Sequence, residues 1–350
     1  MAARHQRLSP TPGTNKILTI MEKTVLITGA TGYIGGHTAL AFKELGYTVI
    51  GVDRQITISQ SLTFLDEFLC MDFVEVVDSA VSIRSVPLIV HCAASHSVEH
   101  SVLNPGEYYD NNLAKTNRML VMLAEKKWQG CVINSSSAAV YGMTQSPISE
   151  SAVNTSRPIS PYGWSKLFVE QCMADHCRAQ GFRNINLRYF NAAGCDHQGR
   201  MGAAQQGNHL FTTVTKAVCQ ESQEPFVING GDYETKDGTC VRDFVHVSDI
   251  AQAHVSAVGV LENMLESQSR SYNIGSGTGY TVREVVDAVK LHSGFTDLKV
   301  TVGPRRAGDP ESLVADHRRF TEDSGWRPVA STLEDLASTT YNWFHDQYYN

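Results

Sequence analysis

A tyrosine and a lysine stand four positions apart in SPYGWSKLFVE, residues 160–170, and together they are residue types that can move a proton. Ser160 and Pro161 predict a helix start, a hydroxyl cap followed by a residue whose missing N–H costs nothing in the first turn. On the helix this predicts over 161–180, Tyr162 and Lys166 share a face. Continuing that face at helical period gives Val169, Met173 and Cys177, while Glu170, Asp175 and Arg178 are expected to point elsewhere. A lysine on an otherwise apolar stripe either snorkels to its edge or is held inside for a purpose. A free tyrosine has a pKa of about 10, and bringing it near 7 takes about 4 kcal/mol of preferential phenolate stabilisation. An ammonium about 5 Å away supplies roughly 3 kcal/mol at an effective dielectric of 20.

A second constellation lies near the start of the chain. TVLITGATGYIGGHTALAFKELG sets Gly29, Gly32 and Gly35 directly after an expected strand and at the start of an expected helix. Such a turn lets backbone approach a pyrophosphate at a helix N-terminus, where free N–H groups and the positive dipole end favour an anion. Asp53 ends the next expected strand, about 20 residues on, where a carboxylate grips the adenosine ribose. That carboxylate repels a 2′-phosphate and favours NAD over NADP, although Arg54 beside it suits such a phosphate. The positive ring of oxidised NAD would add to the lysine's effect on Tyr162. A third constellation is GCVINSSSAAVYG, whose strand ends in Ser135, Ser136 and Ser137 at the carboxyl edge of the sheet. One of the three hydroxyls is positioned to bond a reacting sugar or alcohol oxygen, and the pattern alone does not say which.

These residues need a frame. The runs 24–28, 47–53, 67–72, 87–94, 130–136 and 185–190 are apolar and β-rich, and helical patterns such as 34–45, 107–127 and 161–180 lie between them. Continuous rather than alternating apolar runs predict strands covered on both faces. The fold class expected is therefore α/β, a doubly wound parallel sheet of the Rossmann type with a smaller C-terminal α/β lobe. Residues 1–20, with Arg4, Arg7 and Lys16 and no acid, are expected to be a disordered tail. Residues 21–190 are expected to form the dinucleotide-binding domain, and 191–350 mainly a substrate lobe interleaved with the sheet.

Composition narrows the rest. The 350 residues are 42% hydrophobic and 19% charged with a net charge of −7, which disfavours a nucleic-acid partner. No apolar run approaches the length of a membrane span. The eight cysteines are scattered without a C-x-x-C, so buried free thiols in a reducing compartment, and a cytoplasmic location, are expected rather than disulfides or a metal site.

Together VLITGATGYIGGHT, NPGEYYDNN, SSSAAVYG, SPYGWSKLFVEQ, LRYFNAAG, DYETKDGTCVRDFVHVSDIAQAH, YNIGSGTGYTVREV and PRRAGDPESLVAD resemble the UDP-glucose 4-epimerase family of extended short-chain dehydrogenases. The resemblance runs from about Lys23 nearly to the C-terminus. It implies that Tyr162 is the catalytic base, Lys166 its partner and Ser137 the serine bonded to the sugar hydroxyl. It places Gly29, Gly32, Tyr33, Ile34, Gly35, Asp53, Asp72, Ala93, Asn111, Lys166 and Tyr189 on NAD-contacting positions. It places Ser137, Tyr162, Asn191, His209, Arg242, Arg306 and Asp309 on positions that hold a UDP-sugar. The implied reaction is reversible epimerisation at C4 through a transient 4-keto sugar, with UDP-glucose and UDP-galactose expected first and a UDP-N-acetylhexosamine or UDP-pentose as the alternative. A homodimer built from the helices at 107–127 and 161–180 is also implied.

This sequence departs from the family pattern in places. His96 stands where a lysine is frequent, His209 where asparagine is frequent, the proline usual shortly after is absent, and Leu313 is bulky at a position bearing on N-acetyl groups. A nucleotide-sugar dehydratase on the same scaffold needs an acid just after the serine, and Ala138 and Ala139 can move no proton. A non-catalytic dinucleotide sensor has no need of a proton-transfer pair.

Overall fold

Six apolar runs become six parallel strands: β1 (Thr24–Thr28), β2 (Thr48–Asp53), β3 (Glu67–Cys70), β4 (Leu88–His91), β5 (Cys131–Ser137) and β6 (Arg183–Tyr189). In the computed structural model residues 23–349 are described, except Ala80, Ser82, 205–208, Ala307 and Gly308. The expected tail 1–20, part of the 200–209 loop and two residues of PRRAGD lie outside the described residues. The strands lie in the order β6-β5-β4-β1-β2-β3. Val25, Leu26 and Ile27 of β1 and Val132 and Ile133 of β5 are fully buried, as strands covered on both faces must be. The edge strand β3 is only partly covered, and its sequence EFLC opens on the charged Glu67.

Helix α1 (Tyr33–Glu44) covers one face of the sheet. The other face carries α2 (Val98–Leu103), α3 (Pro105–Tyr108), α4 (Lys115–Glu125) and α5 (Pro161–Gln180). Val169, Met173 and Cys177 of α5 pack there with Met119, Leu120 and Leu123 of α4, each fully buried aliphatic side chain contributing about 1.5–3 kcal/mol. The stretch 107–127, expected as one helix, is divided by a π-helical turn at Tyr109–Ala114. The wider turn brings both Asn111 and Asn112 to the inner side. The Asn112 amide donates to Ser95 O at 2.9 Å and Ser165 Oγ at 3.0 Å and accepts from Ser95 N at 2.8 Å, tying the loop after β4 to α5.

The second half of the chain supplies β7 (Asn191–Ala193), α6 (Leu210–Cys219), β8 (Phe226–Asn229), β9 (Val241–His246), α7 (Val247–Asn263) and β10 (Ser269–Ile274). It continues with β11 (Gly279–Thr281), α8 (Val282–Ser293), β12 (Val300–Gly303), β13 (Ser312–Leu313), α9 (Arg318–Ser324) and α10 (Leu333–Tyr349). Strand β10 was not expected. It pairs in parallel with β6, from Ser269↔Asn184 to Ile274↔Tyr189, and makes the main sheet seven-stranded. Helix α7 joins α1 on its face, Ile250, Ala253 and Leu261 sharing a core with Ala39 and Phe42. Strands β11, β9 and β13, with β7 on β9, form a small sheet, and β12 pairs with β8.

Candidate active site

Helix α5 begins as its sequence dictates, Ser160 Oγ accepting from Gly163 N at 3.1 Å with Pro161 in the first turn. One turn in, Lys166 is 6% exposed and its ammonium donates to Ser135 O at 2.7 Å. It is therefore held inside rather than snorkelling. Burial pushes the ammonium down to about 8, against the raising influence of Cys92 and Glu170. Its Nζ lies 5.9 Å from the centre of the Tyr162 ring. The Tyr162 phenol is itself raised by burial and by the edge-on Tyr108 ring, 6.3 Å away, while the Ser137 hydroxyl lowers it.

The neighbours decide among the serines. Ser135 Oγ is taken by Tyr189 OH at 3.0 Å and Cys92 Sγ at 3.1 Å, and Ser136 Oγ donates to Glu170 Oε1. Ser137 Oγ accepts from Ala139 N at 3.1 Å, which leaves its proton to give, and it is the serine that reaches Tyr162. Phenol, hydroxyl and ammonium thus meet at the carboxyl edge of β5. Glu170 corrects an expectation. Instead of pointing away, it is 6% exposed and ion-paired with Arg188 of β6 at 2.6 Å, because at four positions after Lys166 it shares the buried face of α5, where Arg188 offsets its charge.

At the glycine turn, Gly29 has φ +69°, and a Cβ there would stand 2.8 Å from Ala93 N. A Cβ on Gly35 would stand 2.1 Å from Gly29 O, so helix and turn touch backbone to backbone. Gly32 is the N-cap of α1 and has no side chain to satisfy the first-turn N–H groups of Tyr33, Ile34 and Gly35. The Asp53 carboxylate is aimed from the end of β2, accepting from Thr31 N at 3.1 Å, Thr31 Oγ1 at 2.9 Å and Arg54 N at 2.9 Å. This cradle fits the pyrophosphate and ribose of a dinucleotide, and Ala93, closing over Gly29, belongs to its wall.

Other expected cofactor residues are engaged with protein. Asp72 is paired with Lys115 of α4 at 2.6 Å; burial opposes ionisation, but Lys115 and Val74 N–H hold the carboxyl below its usual range. The Asn111 amide donates to Ser95 Oγ at 3.3 Å. The Tyr33 phenol donates to Gly194 O, so its ring faces the second half of the chain and its backbone faces the turn. The Tyr189 hydroxyl, besides Ser135, meets His254 Nε2 at 2.7 Å beneath the site.

From the small sheet, Arg242 is nearly buried, ion-paired with Asp309, and donates to Val241 O at 2.7 Å. Asn191 donates to Asp243 O at 3.0 Å, so β7 and β9 hold the two residues close. Arg306 joins them through its carbonyl, which accepts from Asp309 N at 3.2 Å. It is held by Asn229, whose amide oxygen, facing the guanidinium, accepts from Nη2 at 3.2 Å and Nε at 3.1 Å. Leu313 pairs with Arg242 across the β13–β9 ladder. The His96 and His209 rings stack at 6.2 Å, with Tyr33 6.4 Å from His209. Burial pushes both imidazoles below their ordinary range, with Lys166 adding for His96 and His96 for His209. Sequence reasoning missed Asn229, Lys115 and Glu170, since each acts through a partner distant in sequence. All eight cysteines are free.

Comparison with known proteins agrees with this geometry. The model of the NAD dependent epimerase/dehydratase family matches residues 25–275. A UDP-glucose 4-epimerase of Halalkalibacterium halodurans is 36% identical over 324 residues, 91% of this chain and 95% of that protein. The crystal structure of UDP-glucose 4-epimerase from Brucella ovis in complex with NAD superposes with a TM-score of 0.85 at 35% identity, covering 92% of this chain and 98% of that one. That of the Bifidobacterium longum enzyme in complex with NAD+ and UDP gives 0.81 at 32% identity, covering 91% and 97%.

Proposed function

The chain belongs to the NAD dependent epimerase/dehydratase family, and on that premise we propose that it inverts C4 of a UDP-sugar, interconverting UDP-glucose and UDP-galactose with NAD as a tightly held hydride carrier. The observation that carries this reading is the convergence of Tyr162, Lys166 and Ser137 with two alanines, Ala138 and Ala139, directly following. A site with a proton acceptor but no second acid beside Ser137 returns its substrate to the same carbon and eliminates nothing.

Each residue then has a task. Tyr162 takes the C4 hydroxyl proton, Ser137 bonds the same oxygen, and Lys166 holds the phenolate. With its Nζ 5.9 Å from the ring centre, the ammonium contributes on the order of 3 kcal/mol to the phenolate at an effective dielectric of 20. That is short of what a phenol raised by burial requires. When bound, NAD would supply a reversible hydride acceptor for C4 and a positive ring that would add to the effect of Lys166. The first-turn amides of α1 with Gly29, Gly32 and Gly35 would hold its pyrophosphate and Asp53 its adenosine ribose, while Tyr33, Ile34, Asp72, Ala93, Asn111 and Tyr189 would line the site. Arg242 and Arg306 would fork onto the sugar diphosphate, with Asp309 orienting Arg242 and with Asn191 and His209 at the sugar. Gripping the UDP strongly leaves the sugar free to turn over about its linkage.

The working form is proposed to be a homodimer joined through α4 and α5. Val121 and Phe168 on these helices are each 41% exposed. Among the described residues no helix is long and apolar enough to cross a membrane.

The test is incubation of purified protein with UDP-glucose, without reductant, and chromatographic detection of UDP-galactose. UDP-N-acetylglucosamine and UDP-xylose are run in parallel to identify the preferred sugar. Interconversion of one of them is expected, and inertness toward all three with NAD supplied would overturn the proposal.

A further inference from the structure

Glu170 sits one helical turn beyond Lys166 and accepts four hydrogen bonds. Arg188 of β6 forks onto it, Nε to Oε1 at 2.9 Å and Nη2 to Oε2 at 2.6 Å. Ser136 of β5 donates to Oε1 and Ser271 of β10 to Oε2 at 3.2 Å. Three neighbouring strands therefore converge on one carboxylate of α5. Arg188 spends its remaining Nη1 on Tyr141 OH at 2.8 Å and Glu150 O at 3.2 Å. The ion pair is thus buried and satisfied on both sides, 4% and 6% exposed.

The placement along β5 gives the pair its meaning. Lys166 is tied to Ser135 O and Glu170 to Ser136 Oγ, and the next residue of the strand is Ser137. Two successive turns of the helix are pinned to two successive residues of the strand, immediately beside the place where Tyr162 meets Ser137. Neither α5 nor the end of β5 can slide along the other without breaking both ties.

We propose that Glu170 is a positioning residue for the epimerase reaction: through the Arg188 fork and the Ser136 hydroxyl it fixes α5 on β5, and so sets Tyr162 and Lys166 against Ser137. The inference rests on the reading of the site given above. Glu170 also faces Lys166 electrostatically. Lys166 is surrounded by Cys92 and His91 at the end of β4, His96 in the loop that follows, and Tyr162 and Glu170 on its own helix, with Arg188 of β6 behind Glu170. Of these, Glu170 supplies the carboxylate charge that favours the ammonium. Without it, burial and the uncompensated Arg188 both push Lys166 toward its neutral form, so the phenolate loses its partner at lower pH.

The experiment compares wild type with Glu170→Gln, Glu170→Asp and the double variant Glu170→Gln/Arg188→Met, which leaves no unpaired buried charge. Glu170→Gln is expected to lose about ten-fold or more in kcat near neutral pH, with KM for the UDP-sugar little changed. Its alkaline limb should move about one pH unit lower, while Glu170→Asp keeps the limb in place. Should Glu170→Gln not fold, the double variant is expected to fold and to show the same reduced kcat, with the limb moved in the same direction but less, since Arg188 no longer opposes the ammonium. Wild-type kcat with an unshifted limb, in either the single or the double variant, would overturn the proposal. A second readout does not depend on turnover: acetylation of Lys166 with acetic anhydride across pH, mapped by mass spectrometry, reports the ammonium's pKa directly. A wild-type protein inert toward every sugar is a failure of the functional reading alone. An unchanged Lys166 titration in Glu170→Gln counts against the present inference whatever the turnover.

Discussion

On the proposed mechanism Tyr162 must exchange a proton from a place that penalises its anion. Burial raises the phenol, the Ser137 hydroxyl lowers it, and the Lys166 ammonium is itself weakened to about 8 by the same surroundings. The balance makes the hydroxyl oxygen of Tyr162 the atom on which turnover depends. Tyr162→Phe keeps the ring and its edge-on contact with Tyr108 but removes that oxygen. The expected outcome is a loss of about 10²–10⁴-fold in kcat, with NAD still released stoichiometrically on denaturing the purified variant. Wild-type turnover in Tyr162→Phe would show that another group takes the proton. At this scale much was legible in the sequence, because a spacing of four on a capped helix fixes a shared face. Glu170 was not, since its charge argued for the solvent side although it stands four positions after Lys166, and nothing in the sequence shows that Arg188 waits on the sheet beneath. Choosing Ser137 from geometry required knowing that Tyr189 and Glu170 occupy the other two serines, both contacts across more than thirty positions of chain.

Helices α4 and α5 lie side by side against the sheet and also turn large apolar side chains outward. Phe168 stacks obliquely on Trp164 at 5.3 Å and, like Val121, keeps two-fifths of its surface exposed. Covering the exposed two-fifths of such side chains gains about 0.6–1.2 kcal/mol each, and an aspartate in their place would instead bury a charge. The double variant Val121→Asp/Phe168→Asp is therefore expected to run as a monomer in size-exclusion chromatography with light scattering, where the proposal expects wild type to run as a dimer. A dimer that survives both substitutions would place the interface elsewhere. Six strands and the helices α1 and α5 were readable from apolar runs and glycine or proline punctuation. Two elements were not. The π turn at Tyr109–Ala114 leaves no mark on an apolar pattern, since it only rotates Asn111 and Asn112 inward. Strand β10, SRSYNI, hides because Ser271 and Asn273 serve a buried polar network (Glu170, Tyr141, Ile148) where an apolar strand residue is the rule.

At the scale of the molecule, the histidines that are buried among the described residues, His37, His91, His246 and His254, are all held toward the neutral form. Burial lowers His37 and His254 to about 4 and His91 and His246 to about 3, from an ordinary 6.5. The unfolded chain binds protons on these residues below pH 6.5 and the folded chain does not, so acid favours unfolding. Stability is fully present above that pH and falls through the window down to about 3–4, each imidazole removing about 1.4 kcal/mol per pH unit. Thermal melts are expected to show Tm dropping steadily from near neutrality toward pH 4, and a Tm flat across that range would contradict the assignment. The seven-stranded sheet carries a different consequence, one of timing. Strand β6 is complete at Tyr189, but its partner β10 begins only at Ser269. At roughly 5–20 residues per second, a ribosome leaves that edge open for on the order of ten seconds. During that interval β6 presents unpaired N–H and C=O groups to any other nascent chain. Asn184, Asn186 and Arg188 interrupt its apolar residues, so the cation proposed to lock the helix of Tyr162 would first disfavour aggregation at that edge during synthesis.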